Sequence, residues 1–196
     1  MRNDKTKTIA KIAVLGAIAF ILHFFDFPLP FVPSFYKIDL SEVAVLIGGF
    51  ALGPKSAVAI EGLKVILKLL FKGTDTAYVG DIANFIIGCS LVVPATIIYH
   101  KDKTRHNAMK GLSVGGLCMA LVGLVMNYFV LLPAYSYFYG LPMDTLIGMG
   151  TALIPAIKDK FTFVVLATTP FNIIKAFVVS VVTTLLYKHL SPILHR

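Results

Sequence analysis

Apolar runs of membrane-spanning length dominate this chain, and most are interrupted by isolated polar residues. The stretches 79–99, 112–132 and 161–187 are the clearest. About 20 apolar residues are needed to cross a bilayer as a helix, whereas a buried core segment is usually shorter. Such runs admit few structures, because every backbone N–H and C=O in lipid must be satisfied internally. Composition agrees: 57% of the 196 residues are hydrophobic and 14% charged, against about 25% charged in a soluble domain. The expectation is one all-α integral membrane domain over residues 1–196, multi-pass in the cell membrane with membrane lipid around it.

Six apolar helices are predicted, at 9–25, 40–52, 56–71, 79–99, 112–132 and 161–187. The basic, then apolar start has the outline of a signal peptide, but no small-residue cleavage site follows it. It is therefore read as a first membrane helix. Gly53-Pro54 closes the second helix and opens the third, since Gly suits a helix end and Pro a first helical turn. Thirteen residues rise only about 20 Å, so the second helix is too short to cross fully unless it tilts or joins the third in one bent span. The stretch 133–160 is read as a long loop, a common site of lids and binding elements.

The net charge is +8. Basic residues flank the spans, so membrane topology explains them better than nucleic acid does. With six crossings, eleven Lys and Arg lie at inner ends, four at outer ends and three within helices. This bias predicts that the N- and C-termini are both cytoplasmic. The inner set includes Arg2, Lys188 and Arg196.

Motifs for hydrolysis are missing. The chain has no GxxxxGK[ST], no HExxH and no GxSxG, which removes P-loop, zincin and serine-hydrolase readings. Ser34-Phe35-Tyr36-Lys37 fits SxxK but lacks the companion motifs of acyl-serine enzymes. Cys89 and Cys118 show no metal or disulfide spacing and read as buried small residues. His100, His106, His189 and His195 read as solvated, and His23 as interfacial.

The polar residues inside spans carry more information, because intramembrane polar groups usually face a cavity and mark a site. Glu61 and Lys64 are three apart in the third helix and read as an ion pair, with Lys68 snorkelling one turn on. Asp81 reads as a cap or hydrated end group. Asn84, Asn127-Tyr128 and Asn172 place an asparagine in each of three helices. An amide both donates and accepts, so it can read the edge of an uncharged polar ligand. Lys175 shares a helical face with Asn172, with Glu61 a candidate to offset its charge. Pro170 frees a carbonyl one turn back and can kink the helix there. Lys37, Asp39 and Glu42 are placed to close the site. Ala10, Ala13 and Ala17 form a small-residue stripe on the first helix, suited either to a docking helix or to internal packing. Gly111, Gly115, Gly116, Ala120 and Gly123 form a similar ladder, read as internal packing. A membrane enzyme using Glu61, Lys64 and Asp81 as acid–base groups, and a structural subunit whose polar groups join helices, are the competing readings.

Ala13-xxx-Ala17, "FYKIDLSEVAVLIGGFALGPK", "GDIANFIIG", "MNYFVLLP" and "PFNIIKA" together resemble the substrate-binding S components of energy-coupling factor (ECF) vitamin transporters. Within that family the riboflavin-carrying branch is the most similar, with another vitamin as the alternative. The resemblance implies a six-helix fold, no catalysis, no cofactor and no metal, with riboflavin as transported ligand captured from outside. It also implies docking of the alanine stripe onto a membrane coupling subunit driven by two ATPase subunits. The implied ligand-binding set is Lys37, Asp39, Glu42, Glu61, Lys64, Asn84, Asn127, Tyr128, Asn172 and Lys175.

Overall fold

The computed structural model describes residues 2–74 and 77–194, with the side chains of 4–74 and 77–187. The topological expectations on the side chains of Arg2 and Lys188 and on Arg196, and those on His189 and His195, lie outside the described residues. The chain is a helical bundle with nine α-helical segments among the described residues. They are α1 (Arg2–Phe24), α2 (Ser41–Leu52), α3 (Pro54–Lys72), α4 (Val79–Lys101), α5 (Arg105–Met126), α6 (Leu132–Phe138), α7 (Met143–Thr151), α8 (Lys160–Phe163) and α9 (Thr169–Leu194). Among the described residues, four helical stretches are long and apolar enough to cross a membrane: Asp4–Phe24, Val79–Lys101, Arg105–Phe138 and Lys160–Tyr187.

Two of those stretches are composite. A π-helical segment, Asn127–Leu131, joins α5 to α6, and a second, Val164–Thr168, joins α8 to α9. Single π turns inside α-helices are rare and concentrate at functional sites. Both here put a polar residue, Asn127 and Thr168, on the interior side, where each is buried.

α2 occupies the centre. Every residue from Ser41 to Phe50 is buried, which explains a helix that is apolar all round. At 12 residues it rises about 18 Å, so one end stops well inside the bundle. Gly53 has φ +100° and Pro54 begins α3, as the Gly-Pro pair predicts, so α2 and α3 are separate helices rather than one bent span. Gly111 and Gly115 lie against the backbone carbonyls of Ala95 and Leu91. A side chain at either position would push α5 off α4, so that part of the glycine ladder is internal packing.

The structure departs from the sequence expectations in the connections. α1 begins earlier than residue 9, and the Thr8 hydroxyl bonds back to the Asp4 carbonyl at 3.0 Å. The proline-rich stretch after α1 holds a small antiparallel ladder, β1 (Phe27–Pro28) against β2 (Lys37–Ile38). Val32, Tyr36 and Ile38 of this loop are buried with Leu132, Ile157, Phe163 and Phe171 in an apolar cluster. The stretch 133–160 is largely helical instead of a long loop. Asp159 caps α8: Thr162 donates its backbone N–H to the Asp159 carboxylate at 2.7 Å. That bond, and then the Thr162 hydroxyl, hold the Asp159 carboxyl below its ordinary range.

Candidate functional site

The proline-rich loop meets α3, α4, α9 and the α5–α6 junction around a cavity of about 310 Å³. Its polar lining includes Asp39, Asn84, Asn127, Asn172 and Lys175. Phe35, Tyr36, Tyr135, Tyr139 and Phe171 supply aromatic walls, and Met119, Leu131 and Ile87 aliphatic ones. Lys37, Lys72 and Asp26 are also in the lining, and Asp26 lies 3.5 Å from Lys37 and 3.6 Å from Lys72. The lining is about evenly polar and apolar, more polar than the usual small-molecule pocket, in which a few placed polar groups stand in an apolar wall.

Charge is concentrated behind the cavity. Lys175 Nζ sits 3.1 Å from Asp39 Oδ2 and 3.1 Å from Glu42 Oε1. Lys64 Nζ lies 2.6 Å from Glu61 Oε1 and 3.4 Å from Glu42 Oε1. Glu42 thus bridges the two lysines. Ser41 ties the near end together: its backbone N–H donates to Asp39 at 2.8 Å, its hydroxyl also bonds Asp39, and Lys64 donates to that hydroxyl at 3.2 Å. All six residues are buried. Each charge is affordable there only because another offsets it. Gly88 of α4 makes room for the far end, since a side chain at that position would strike the Glu61 carboxylate.

The amides are oriented by their own helices. Asn127 donates to the Gly123 carbonyl at 2.8 Å and accepts from the Tyr36 hydroxyl at 2.7 Å. That hydroxyl is also 2.7 Å from Thr168 Oγ1. Asn172 donates to the Thr168 carbonyl at 3.1 Å, and the missing side chain of Gly123 leaves it space. One N–H of each amide is therefore committed, and the Asn127 oxygen also accepts from Tyr36; each amide keeps a second N–H and a remaining acceptor lone pair for a ligand. Tyr36 links the loop to both π segments, so the loop cannot shift without disturbing Asn127.

The structure sorts the sequence-predicted residues. Lys37, Asp39, Asn84, Asn127, Asn172 and Lys175 line the cavity. Glu42, Glu61 and Lys64 do not; they form the ion network behind it. Tyr128 also stands off the lining, with Lys160 Nζ 4.4 Å from its ring centroid. The carboxylates facing Lys175 are Asp39 and Glu42, not Glu61. His23, at the end of α1, lines the cavity, with Nδ1 3.4 Å from Asp39 Oδ2. Lys68 does not snorkel but pairs with buried Asp81 at 2.6 Å, and Thr74 donates to Asp81 at 2.7 Å. That pairing replaces the capping role expected of Asp81. His100 is partly buried, with Nε2 3.0 Å from the Gly49 carbonyl. Ala10 and Ala13 are exposed and Ala17 partly so, while Gly16 turns inward against Leu63. The aromatic residues of the lining were missed. Tyr36 and Phe35 lay in a quoted motif, but only the fold brings a proline-rich loop down between α5 and α9.

Comparison with known proteins places this arrangement in context. A family model described as "ECF transporter, substrate-specific component" matches residues 7–187. The chain is 35% identical over 196 residues to riboflavin transporter RibU of Staphylococcus aureus, covering 100% of this chain and 96% of that protein. It is 31% identical over 189 residues to riboflavin transporter FmnP of Bacillus subtilis, covering 96% and 94%. A solved structure described as the S component of a bacterial ECF transporter superposes with a TM-score of 0.76 at 33% identity, covering 98% of this chain and 99% of the other.

Proposed function

The chain belongs to the family of ECF transporter substrate-specific components, and we propose that it captures riboflavin in the cavity between the proline-rich loop, α3, α4, α5–α6 and α9 for uptake across the cell membrane. It is a transporter component and not an enzyme. The observation that carries the ligand is the match between cavity and vitamin. Riboflavin is neutral, flat and amphipathic, with a pyrimidine edge of donors and acceptors and a hydroxylated tail. The aromatic walls suit the ring, the amides of Asn84, Asn127 and Asn172 suit its polar edge, and the Asp39–Lys175 side suits groups that both donate and accept. The relatives named as riboflavin transporters support the same ligand.

The proposed topology has six crossings with both termini cytoplasmic. α1, α4, α5–α6 and α8–α9 are the outer crossings, and α2 and α3 complete the bundle. α3 carries Glu61, Lys64 and Lys68, and α2 is shielded from lipid by its neighbours. In this frame the short α2 leaves the cavity at membrane depth, open toward the outside. Irregular backbone is tolerated at that depth where protein covers it, as with buried Tyr36 and Ile38.

Mass spectrometry of small molecules released from the purified protein tests the ligand. Riboflavin should be recovered, and the preparation should be yellow. Recovery of a different vitamin would replace the assignment within the family.

The exposed Ala10, Ala13 and Ala17 stripe is the proposed face for a membrane coupling subunit, which works with two ATPase subunits. Small exposed residues let a second helix approach closely in lipid. Ala13→Trp should abolish uptake in cells that contain the coupling subunits while leaving riboflavin affinity of the purified chain unchanged. Uptake that survives the substitution would remove α1 from the interface.

A further inference from the structure

A second cavity, about 560 Å³, lies outside the site, between α5 and α9 on the outer face of the bundle. Its floor is made of small residues, Gly116 and Ala120 from α5 and Ala176 and Ser180 from α9, with the exposed Ser113 at its edge. A Cβ on Gly116 would come within 3.3 Å of the Ala176 Cβ, so the two helices nearly touch beneath the groove. The rims are large and exposed: Leu117 is 63% exposed, Phe177 68% and Leu185 64%. From Ile173 to Leu185 the groove follows twelve helical steps, a length of about 18 Å.

One end of the groove is strongly basic. Met109 lines it there, and Arg105, His106 and Lys110 lie within about one turn of it on α5. Lys101, Lys103, Arg105, His106 and Lys110 are exposed, and Asp102 is the one carboxylate between residues 100 and 111. A narrow apolar slot that opens under a cationic cluster matches the two halves of a lipid: chain below, anionic headgroup above. Juxtamembrane basic residues attract anionic lipid by about 1 kcal/mol each, or about fivefold in affinity.

We propose that this groove is a binding site for one acyl chain of an anionic phospholipid, whose headgroup is held by Arg105 and Lys110. A partner helix fits the relief less well. Close helix approach needs small residues that stand at the surface, as Ala10 and Ala13 do on α1. Here the small residues lie at the bottom, and Leu117 and Phe177 project beside them. A flexible chain can enter between such rims, whereas a helix of about 10 Å diameter rides on top of them. The site needs only that α5 and α9 face lipid, so it stands apart from the identity of the transported vitamin.

The chain contains no tryptophan, so a single introduced indole reports its own surroundings. Leu117→Trp, reconstituted in phosphatidylcholine vesicles, should report about thirtyfold tighter association of brominated phosphatidylglycerol than of brominated phosphatidylcholine in quenching titrations, about fivefold for each of Arg105 and Lys110. Ile66→Trp on α3, also exposed, should show no preference. Adding Arg105→Glu and Lys110→Glu to Leu117→Trp should abolish the preference. Phe177→Trp, on the opposite rim, repeats the measurement should Leu117→Trp fold poorly. Native mass spectrometry of delipidated protein with added phosphatidylglycerol should show one retained lipid, lost in Ser113→Phe. Equal quenching by the two lipids at both rims would overturn the proposal and leave the groove to a protein partner. A preference that survives both charge reversals would overturn it as well.

Discussion

Lys64→Met is expected to destabilise this protein strongly, although Lys64 does not line the cavity. Its ammonium lies 2.6 Å from Glu61 and 3.4 Å from Glu42, and its side chain is 1% exposed. Methionine matches the shape but leaves Glu61 without its cation and Glu42 with Lys175 alone. Breaking a buried pair from one side typically costs about 3–5 kcal/mol, a large share of a marginal folding free energy of about 5–15 kcal/mol. Thermal unfolding in detergent should show a drop of many degrees. Lys64→Met with Glu61→Gln should recover part of the loss, because one uncompensated charge is then gone. Riboflavin affinity in the folded fraction should change little. An unaltered melting temperature in Lys64→Met would show that these carboxylates do not depend on it.

Lys175→Met should lower both stability and affinity. Lys175 holds Asp39 and Glu42 at 3.1 Å each and also lines the cavity. Two of its three donors serve those carboxylates, and the third is free to meet a ligand acceptor. A lost bond to a charged donor costs about 1.5–3 kcal/mol, roughly tenfold to over a hundredfold in Kd. The stability loss should resemble that of Lys64→Met. A second variant separates the two effects: Lys175→Met with Asp39→Asn should regain stability and leave riboflavin binding weak. If the double variant binds as tightly as the parent, Lys175 serves the network alone.

The sequence made the helices legible because lipid imposes a simple requirement on them. Apolar runs marked the crossings, and Gly53-Pro54 marked the break between α2 and α3. The three asparagines stood out because an amide in an apolar run has a high desolvation cost. Partnership was harder to read. Lys175 meets Asp39 across 136 residues, and nothing in the local pattern selects Asp39 over Glu61. His23 looked interfacial because its neighbours are Phe24 and Phe25; only the packing of α1 against α2 turns it toward Asp39. Pro28, Pro30 and Pro33 identified a loop but could not say that it folds inward and delivers Tyr36 to Asn127. The two π segments left no signal, since they arise where α5 and α9 adjust to neighbours already in place. Residues 133–160 looked like a loop because the turn residues Gly140-Leu141-Pro142 and Pro155 obscured two short helices.

The central claim is that riboflavin is read by the amides at this cavity, and a fluorescence-quenching titration of flavin against purified protein tests it most directly. Asn172 is 4% exposed, is fixed by its bond to the Thr168 carbonyl, and lines the cavity. Removing a neutral bond from a buried site costs about 1–3 kcal/mol. The parent protein should quench one equivalent of riboflavin, and Asn172→Ala should raise its Kd roughly fivefold to over a hundredfold with the melting temperature nearly unchanged. Lumichrome, which keeps the ring and lacks the ribityl tail, should bind more weakly than riboflavin and lose a similar factor in the same variant. Identical riboflavin affinities in parent and variant would contradict the account and place the vitamin elsewhere.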